Sequence, residues 1–161
     1  IRRKKMKFIE EIAPIVQKLS SQLGYNYPSA IIAQACLESN FGKSLLSSKY
    51  NNYFGLKCGS SWKGKSINLK TKEEYTAGTL TTIRDNFRVY TSMYEGVLGY
   101  FDFIKYRRYS NLKSATSPRD YITKIVQDGY CTSKSYINSC CNLITIYNLT
   151  QYDKKEETNG T

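Results

Sequence analysis

Residues 34–44 read Gln34-Ala35-Cys36-Leu37-Glu38-Ser39-Asn40-Phe41-Gly42-Lys43-Ser44, and they close an apolar segment. Residues 30–37 are apolar at nearly every position, which is typical of a helix that is buried on all sides. Pro28 suits the first turn of such a helix, and Gly42 predicts a stop just beyond it. Glu38 is therefore expected at the C-terminal end of a buried helix.

A glutamate in that position has unusual acid–base properties. The negative end of the helix dipole and partial loss of water both favour the protonated carboxyl and raise its pKa. A carboxylic acid that stays protonated near neutral pH is what glycosidic-bond cleavage needs, because the leaving oxygen must receive a proton. The alternative for Glu38 is an ordinary exposed glutamate at a fraying helix end.

The segments on either side of this helix predict an α+β fold. Residues 8–23 have apolar positions at helical spacing up to Gly24, although Pro14 is expected to kink or divide that helix. Residues 66–71 and 81–90 alternate as strands do, among several glycines. Three further helices are predicted, after the capping box Ser92–Glu95, after Pro118, and over residues 137–147.

The expected organisation is one domain over residues 6–150, with a β lobe at about residues 54–90. Residues 1–5 and 151–161 are expected to be polar termini. A mainly helical lobe and a small antiparallel hairpin lobe would then flank a cleft.

Histidine is absent from the 161 residues, which excludes Ser-His-Asp and Cys-His catalysis and every histidine-ligated metal site. The five cysteines have no CxxC spacing, so no metal site is predicted. Three of them fall within helical patterns and are interpreted as core thiols: Cys36, Cys140 and Cys141. No disulfide is expected to be needed for activity.

The formal net charge of +11 indicates attraction to a polyanion, which could be nucleic acid, a membrane surface or an anionic cell wall. No apolar run reaches the roughly 20 residues that a membrane-spanning helix needs.

Beyond residues 34–44, five further pieces of sequence follow in a fixed order. They are Asn51-Asn52-Tyr53-Phe54-Gly55-Leu56-Lys57, Trp62-Lys63-Gly64, Glu74-Tyr75, Phe87-Arg88-Val89-Tyr90 and Arg108-Tyr109. Together with the first stretch, this ordered set resembles family 73 glycoside hydrolases over about residues 6–150. The resemblance implies a lysozyme-like α+β fold and cleavage of peptidoglycan by an N-acetylglucosaminidase.

Carried over position by position, the resemblance implies that Glu38 is the general acid and that Tyr109 lies near it. It also implies substrate contacts for four residues, with the Asn52 amide bonding an N-acetyl group and Phe54 stacking on a sugar: Ser39, Asn52, Phe54 and Tyr90. Phe54 could equally be a core residue, and Tyr109 a surface aromatic. Trp62 is interpreted as a cap on the small sheet in preference to a sugar platform.

The resemblance places the second acidic residue at Glu74, with Glu73 as a rival one position away. Adjacent side chains on a strand point to opposite faces, so only one of the two is expected to face the cleft. A solvated charge on the hairpin is the alternative for either residue.

The function predicted is that of an endo-β-N-acetylglucosaminidase that acts on peptidoglycan glycan strands, without a metal or organic cofactor. The alternatives are a muramidase, a lytic transglycosylase, a non-catalytic wall-binding module, or nucleic-acid binding by the basic surface. We expect a secreted, monomeric enzyme of the bacterial cell wall, with no nucleic-acid partner and no membrane insertion. The chain is further expected to be the catalytic part of a longer protein with wall-binding repeats.

Overall fold

A computed structural model describes residues 1–154 of the chain. In that part the protein contains six α-helices, two short 3₁₀ helices and one antiparallel pair of strands. The bounds are α1 Arg2–Leu23, α2 Pro28–Ser39, α3 Leu45–Ser48, β1 Ser66–Thr76, β2 Thr79–Arg88, α4 Met93–Phe103, a first 3₁₀ helix Arg107–Ser114, α5 Pro118–Gln127, α6 Tyr136–Ile146 and a second 3₁₀ helix Leu149–Asp153.

Helix α2 is the centre of the helical lobe. Residues 30–36 are completely buried, and α1, α5, α6 and the second 3₁₀ helix pack around them. The predicted start at Pro28 is confirmed, and the helix ends where Asn40 adopts a left-handed conformation. Packing on every side fixes the direction in which the end of α2 points.

Helix α1 runs without interruption through Pro14, so the expectation that this residue divides the helix in two is wrong. Ile12, Ala13 and Val16 are buried on the inner face, whereas Pro14 and Glu10 are exposed. The carbonyl of Glu10, which loses its usual partner at Pro14, is therefore on the side that water reaches. Gly24 ends the helix with φ 87°, as predicted.

The two strands form a hairpin that projects from the helical lobe. Its register runs from Ser66 opposite Arg88 to Glu73 opposite Thr81, and an irregularity follows between Glu73 and Thr76. On the regular part of β1 the partly buried residues alternate with exposed ones, and they lie on one face: Ile67, Leu69, Thr71 and Glu73.

The α+β, lysozyme-like fold class is confirmed. The ends of the described chain are more ordered than the predicted polar termini, since α1 begins at Arg2 and the second 3₁₀ helix continues to Asp153. Asp153 accepts hydrogen bonds from the backbone N and from Oγ of Ser29, at 2.7 and 2.6 Å. The remaining residues of the predicted C-terminal tail, 155–161, lie outside the described residues.

Within residues 1–154, no helix combines the length and apolar character required to cross a bilayer. The same residues contain no group of three or more His, Cys, Asp or Glu side chains arranged to hold a metal ion.

Candidate active site

A large cleft lies between the hairpin and the helical lobe, with a volume of about 1210 Å³. Its walls come from the end of α2, the segment after α3, the inner face of the hairpin, and the segment between α5 and α6. The lining includes Glu38, Phe54, Gly55, Lys57, Glu73, Glu74, Arg88, Arg108, Tyr130, Cys131 and Tyr136.

Glu38 is the acid at the floor of this cleft. Burial raises the pKa of its carboxyl to about 7, and the negative charge of Glu73 acts in the same direction. The neighbouring Tyr136 hydroxyl acts in the opposite direction and lowers the pKa, without cancelling the shift. A half-buried carboxyl with this pKa can donate a proton to a bound ligand at neutral pH.

Gly55 allows the loop after α3 to pass close to this carboxyl. It has φ 66°, and a Cβ atom built there would lie 3.1 Å from Oε2 of Glu38. The residue therefore needs both a left-handed backbone and the absence of a side chain. The Asn-Asn-Tyr-Phe-Gly motif thus shapes the wall directly beside the acid.

Ser39 and Asn52, which were predicted to contact substrate, are buried and bonded within the protein, and neither lines the cleft. Ser39 is buried; its Oγ donates to the carbonyl of Ala35 at 2.6 Å and accepts from the backbone N of Gly42 at 2.8 Å. Both amide hydrogens of Asn52 are donated to backbone carbonyls, of Leu56 and Arg88, each at 2.9 Å. Its Oδ1 accepts from the backbone N of Leu56 at 3.0 Å, so this buried amide joins the cleft wall to the base of the hairpin.

Tyr90 is likewise a packing residue and does not line the cleft. Its ring sits against Gly99 of α4, where an added Cβ would approach the hydroxyl to 2.3 Å. It also contacts Trp62 edge to face, and the Arg88 guanidinium lies 4.8 Å from the Trp62 ring centre. Trp62 itself donates to the carbonyl of Lys65, which agrees with a cap on the base of the hairpin.

Phe54 combines the two roles proposed for it. It lines the cleft, but only 2% of its surface is exposed and its ring stacks on Tyr100 with a centroid distance of 4.3 Å. Its backbone carbonyl accepts a hydrogen bond from the hydroxyl of Tyr130 at 2.9 Å. The residue is thus mainly core, with an edge on the cleft.

The tyrosines beside Glu38 are Tyr130 and Tyr136, whereas Tyr109 lies behind them. Tyr109 is 1% exposed, its ring packs on Phe103 and Tyr130, and it does not line the cleft. Sequence reasoning missed Tyr130 and Tyr136, because neither belongs to a matched motif and the chain has 15 tyrosines.

Both hairpin glutamates border the cleft, as do the other residues of β1 from Leu69 to Tyr75. Glu73 continues the inward alternation of β1, and Glu74 enters the irregular segment, where strict alternation ends. The Glu73 carboxylate is 2.7 Å from Nζ of Lys57, which also lies 3.4 Å from Asp85. The Glu74 carboxylate accepts from the backbone N of Gly78 at 2.8 Å, within the hairpin turn.

All five cysteines are free thiols. Cys36 and Cys140 are fully buried and Cys141 is half-buried, as a core interpretation requires. Cys58 and Cys131 line the cleft, and burial raises the pKa of the Cys131 thiol to about 11. Neither thiol is activated as a nucleophile near neutral pH.

A high-pKa carboxyl at the end of a buried helix, facing a hairpin across a lysozyme-like cleft, is the arrangement of a glycoside hydrolase. Residues 13–149 match the family model described as "Glucosaminidase: Mannosyl-glycoprotein endo-beta-N-acetylglucosaminidase". The chain belongs to this glucosaminidase family.

Two curated relatives illustrate the similarity. The exo-glucosaminidase LytG of Bacillus subtilis is 32% identical over 133 residues, covering 79% of this chain and 46% of the relative. A probable N-acetylmuramidase of Lactococcus lactis is 34% identical over 163 residues, covering 96% of this chain and 36% of the relative. The chain thus spans less than half the length of either relative.

Solved structures show the same architecture. The catalytic domain of the autolysin Auto from Listeria monocytogenes has a TM-score of 0.72 and 32% identity, with 92% of this chain and 87% of that chain covered. An N-acetylmuramoyl-L-alanine amidase from Staphylococcus aureus has a TM-score of 0.86 and 31% identity, with 96% of this chain but 44% of that chain covered.

Proposed function

We propose that this chain is an endo-β-N-acetylglucosaminidase that hydrolyses β-1,4 bonds in the glycan strands of bacterial peptidoglycan. The observation that carries the proposal is the Glu38 carboxyl, which lines a cleft of about 1210 Å³ and whose pKa burial raises to about 7. Membership of the glucosaminidase family supports the choice of sugar.

In the proposed reaction, Glu38 gives its proton to the glycosidic oxygen while the bond from that oxygen to the anomeric carbon breaks. Positive charge develops on the sugar ring, and a water molecule completes the hydrolysis. Glu38 recovers its proton when that water is deprotonated. No step requires a metal ion or an organic cofactor.

The two hairpin glutamates are given different roles in this proposal. Glu73 is fixed by Lys57 and acts on Glu38 through its charge, which keeps the acid protonated. Glu74 is the second acidic residue that the family resemblance implies, and its carboxylate bonds the turn in this conformation. It would reach the sugar by leaving Gly78 as the hairpin closes on the glycan.

The test of the acid is the substitution Glu38→Gln, assayed on purified peptidoglycan. The amide has almost the same shape but cannot deliver a proton, so we expect a loss of at least about 100-fold in turnover. A matched control is Glu10→Gln, because Glu10 is exposed on α1 and does not line the cleft. Turnover of Glu38→Gln within tenfold of the parent would remove Glu38 from this role.

A muramidase is the second candidate, since the Lactococcus relative bears that name. The two activities leave different sugars at the new reducing end. Digested glycan is reduced with borohydride and hydrolysed, and the reduced sugar is identified. Reduced glucosamine supports the proposal, whereas reduced muramic acid supports the muramidase, and anhydromuramic acid would indicate a lytic transglycosylase.

The surroundings of the enzyme are proposed on the same basis. A net charge of +11 would hold the protein close to a wall rich in carboxylates and phosphodiesters. An autolysin-like enzyme acts outside the cytoplasm on that wall, and we propose that this chain does so as a monomer, joined to wall-binding repeats in a longer protein. The amidase activity named for the Staphylococcus structure does not extend to our proposal, because this chain covers only 44% of that protein.

A further inference from the structure

A continuous chain of hydrogen bonds runs from the protein core to the Glu38 side of the cleft. The hydroxyls of Tyr121 and Tyr100 are 2.6 Å apart, and Tyr100 donates to Oε1 of Gln34 at 2.6 Å. Nε2 of Gln34 donates in turn to the hydroxyl of Tyr136 at 3.0 Å. Tyr136 lines the cleft together with Glu38.

The hydrogen bonds of this series are all donated in one direction, from the core towards the cleft. The hydrogen of Tyr100 is given to Gln34, so the bond between the two hydroxyls must be donated by Tyr121. The Tyr136 oxygen accepts from Gln34, which leaves its own hydrogen free for a different acceptor. Glu38 lines the same cleft as Tyr136, and it is the acidic side chain whose pKa the Tyr136 hydroxyl lowers.

Core packing alone does not account for these polar groups. Gln34 and Tyr100 are completely buried, Tyr121 is 1% exposed and Tyr136 is 5% exposed. Phenylalanine and methionine would fill the same space without burying polar atoms, and a satisfied polar network contributes little net stability over an apolar core. Such a network does fix the orientation of each member.

We propose that Gln34 is a positioning residue for the acid: together with Tyr100 and Tyr121, it orients the Tyr136 hydroxyl so that this group donates its hydrogen bond to the Glu38 carboxylate. The proposal rests on the hydrolase function proposed above. Glu38 becomes a carboxylate each time its proton passes to the leaving oxygen, and in a desolvated site that charge needs a fixed donor. Tyr136 keeps its own proton throughout, because burial raises its pKa well above the ordinary range.

Other groups near Glu38 also affect its ionisation, and the experiment must hold them constant. Across the cleft, Glu73 raises the pKa of Glu38 and Lys57 is paired with Glu73. The remaining titratable or charged side chains that line the cleft, or that lie on α6 and interact with Glu38, are Cys58, Lys70, Lys72, Glu74, Tyr75, Arg88, Tyr106, Arg108, Tyr130, Cys131 and Cys140. None of them is changed in the variants below.

The experiment measures the pKa of Glu38 directly, by carbon-13 NMR of protein labelled at the glutamate carboxyl carbons. The Glu38 signal is identified by its absence in Glu38→Gln. Removing the donor in Tyr136→Phe is expected to raise the pKa of Glu38 by about one unit, because the carboxylate loses a hydrogen bond. The alkaline limb of the pH–rate profile is expected to move to higher pH together with this pKa.

The variant Gln34→Met tests the orientation itself. We expect the pKa of Glu38 to rise in Gln34→Met, but by less than in Tyr136→Phe. In the double variant the pKa is expected to rise no further than in Tyr136→Phe alone. Should Gln34→Met not fold, Tyr100→Phe breaks the chain one bond further from the cleft and keeps the ring that stacks on Phe54. The matched control is Tyr53→Phe, a buried tyrosine whose hydroxyl donates to Asn51 and does not line the cleft.

Three outcomes overturn the proposal. These are an unchanged pKa of Glu38 in Tyr136→Phe, a downward shift that would make Tyr136 an acceptor, and full additivity of the two single variants. Each leaves the proposed function standing so long as Glu38→Gln is inactive. If Glu38→Gln is active, the function fails while the NMR titration still reports on the hydrogen-bonded chain.

Discussion

The Glu38 carboxyl is expected to make the fold less stable at alkaline pH. Its pKa rises from an ordinary value of 4.5 to about 7 on folding, so the folded chain binds the proton more tightly than the unfolded chain does. The loss of stability caused by ionising Glu38 is absent below the pKa of the unfolded chain. It grows between the unfolded and folded pKa values and is complete above the folded pKa. Glu38→Gln should therefore stabilise the protein at pH 8, by up to about 3 kcal/mol, and change little at pH 4.

Urea unfolding of both proteins at the two pH values measures this difference. Glu10→Gln is again the control, and we expect no pH-dependent gain there. A stability difference for Glu38→Gln that is the same at both pH values would contradict the raised pKa.

Gly55 is expected to be sensitive to the addition of a single Cβ atom, because it lies beside the Glu38 carboxyl. In Gly55→Ala the new methyl group would meet Oε2 of Glu38 at 3.1 Å, in addition to the strain of a left-handed backbone at an alanine. Gly59→Ala is a matched control, because Gly59 has φ 57° but no atom within 4 Å of an added Cβ. We expect both variants to lose about 1 kcal/mol of stability, and Gly55→Ala alone to lose at least tenfold in turnover. Equal turnover in the two variants would show that the close approach is not important.

The hairpin allows the two acidic residues to be separated by their effects on pH dependence. Glu73→Gln removes a negative charge that raises the pKa of Glu38, so the alkaline limb of the pH–rate profile should move downward. Glu74→Gln should leave that limb in place and lower turnover, by less than Glu38→Gln does. The pH–rate profiles of both variants on the same peptidoglycan decide between them, and a shift with Glu74→Gln alone would reverse the assignment.

Elements with local chemical signals were predicted well from the sequence. Pro28, Gly24 and the Ser92 cap are where expected, since each acts through its own backbone or its near neighbours. The possible division of α1 at Pro14 was predicted wrongly, because the cost of a proline within a helix is local, whereas the burial of Ile12 and Val16 that holds α1 together is not.

The features of the candidate site also fall into two groups, those with a local signal in the sequence and those that depend on distant residues. Glu38 was singled out from its position at a helix end together with the motif around it, and both are local properties of the sequence. The commitment of Asn52 to Arg88, or the position of Tyr136 beside Glu38, depends on residues far apart in the chain. The irregularity after Glu73 also has no signal in the local sequence, so the rule of alternating faces failed there.

The last described residues stabilise the helix that carries the acid. Asp153 bonds Ser29 in the first turn of α2, and Glu38 is at the other end of the same helix. Asp153→Ala leaves a buried helix N-terminus without this partner, and we expect a loss of about 1 to 2 kcal/mol of stability. Asp102→Ala, which breaks an exposed pair with Lys105, should cost less than about 1 kcal/mol. Thermal unfolding of both variants measures the contrast, and equal losses would show that the contact with α2 contributes nothing.

The lack of histidine has a practical consequence for the whole molecule. Most proteins release protons from imidazole groups between pH 6 and 8, and this chain has none. With the Glu38 pKa at about 7, its carboxyl supplies buffering in a range where few other groups in a protein of this composition titrate. A potentiometric titration of the intact enzyme, subtracted from that of Glu38→Gln, would then record the ionisation of the acid without any isotope or substrate. An inhibitor that binds against this carboxyl would change its pKa, and the binding would be detected as uptake or release of a fraction of one proton.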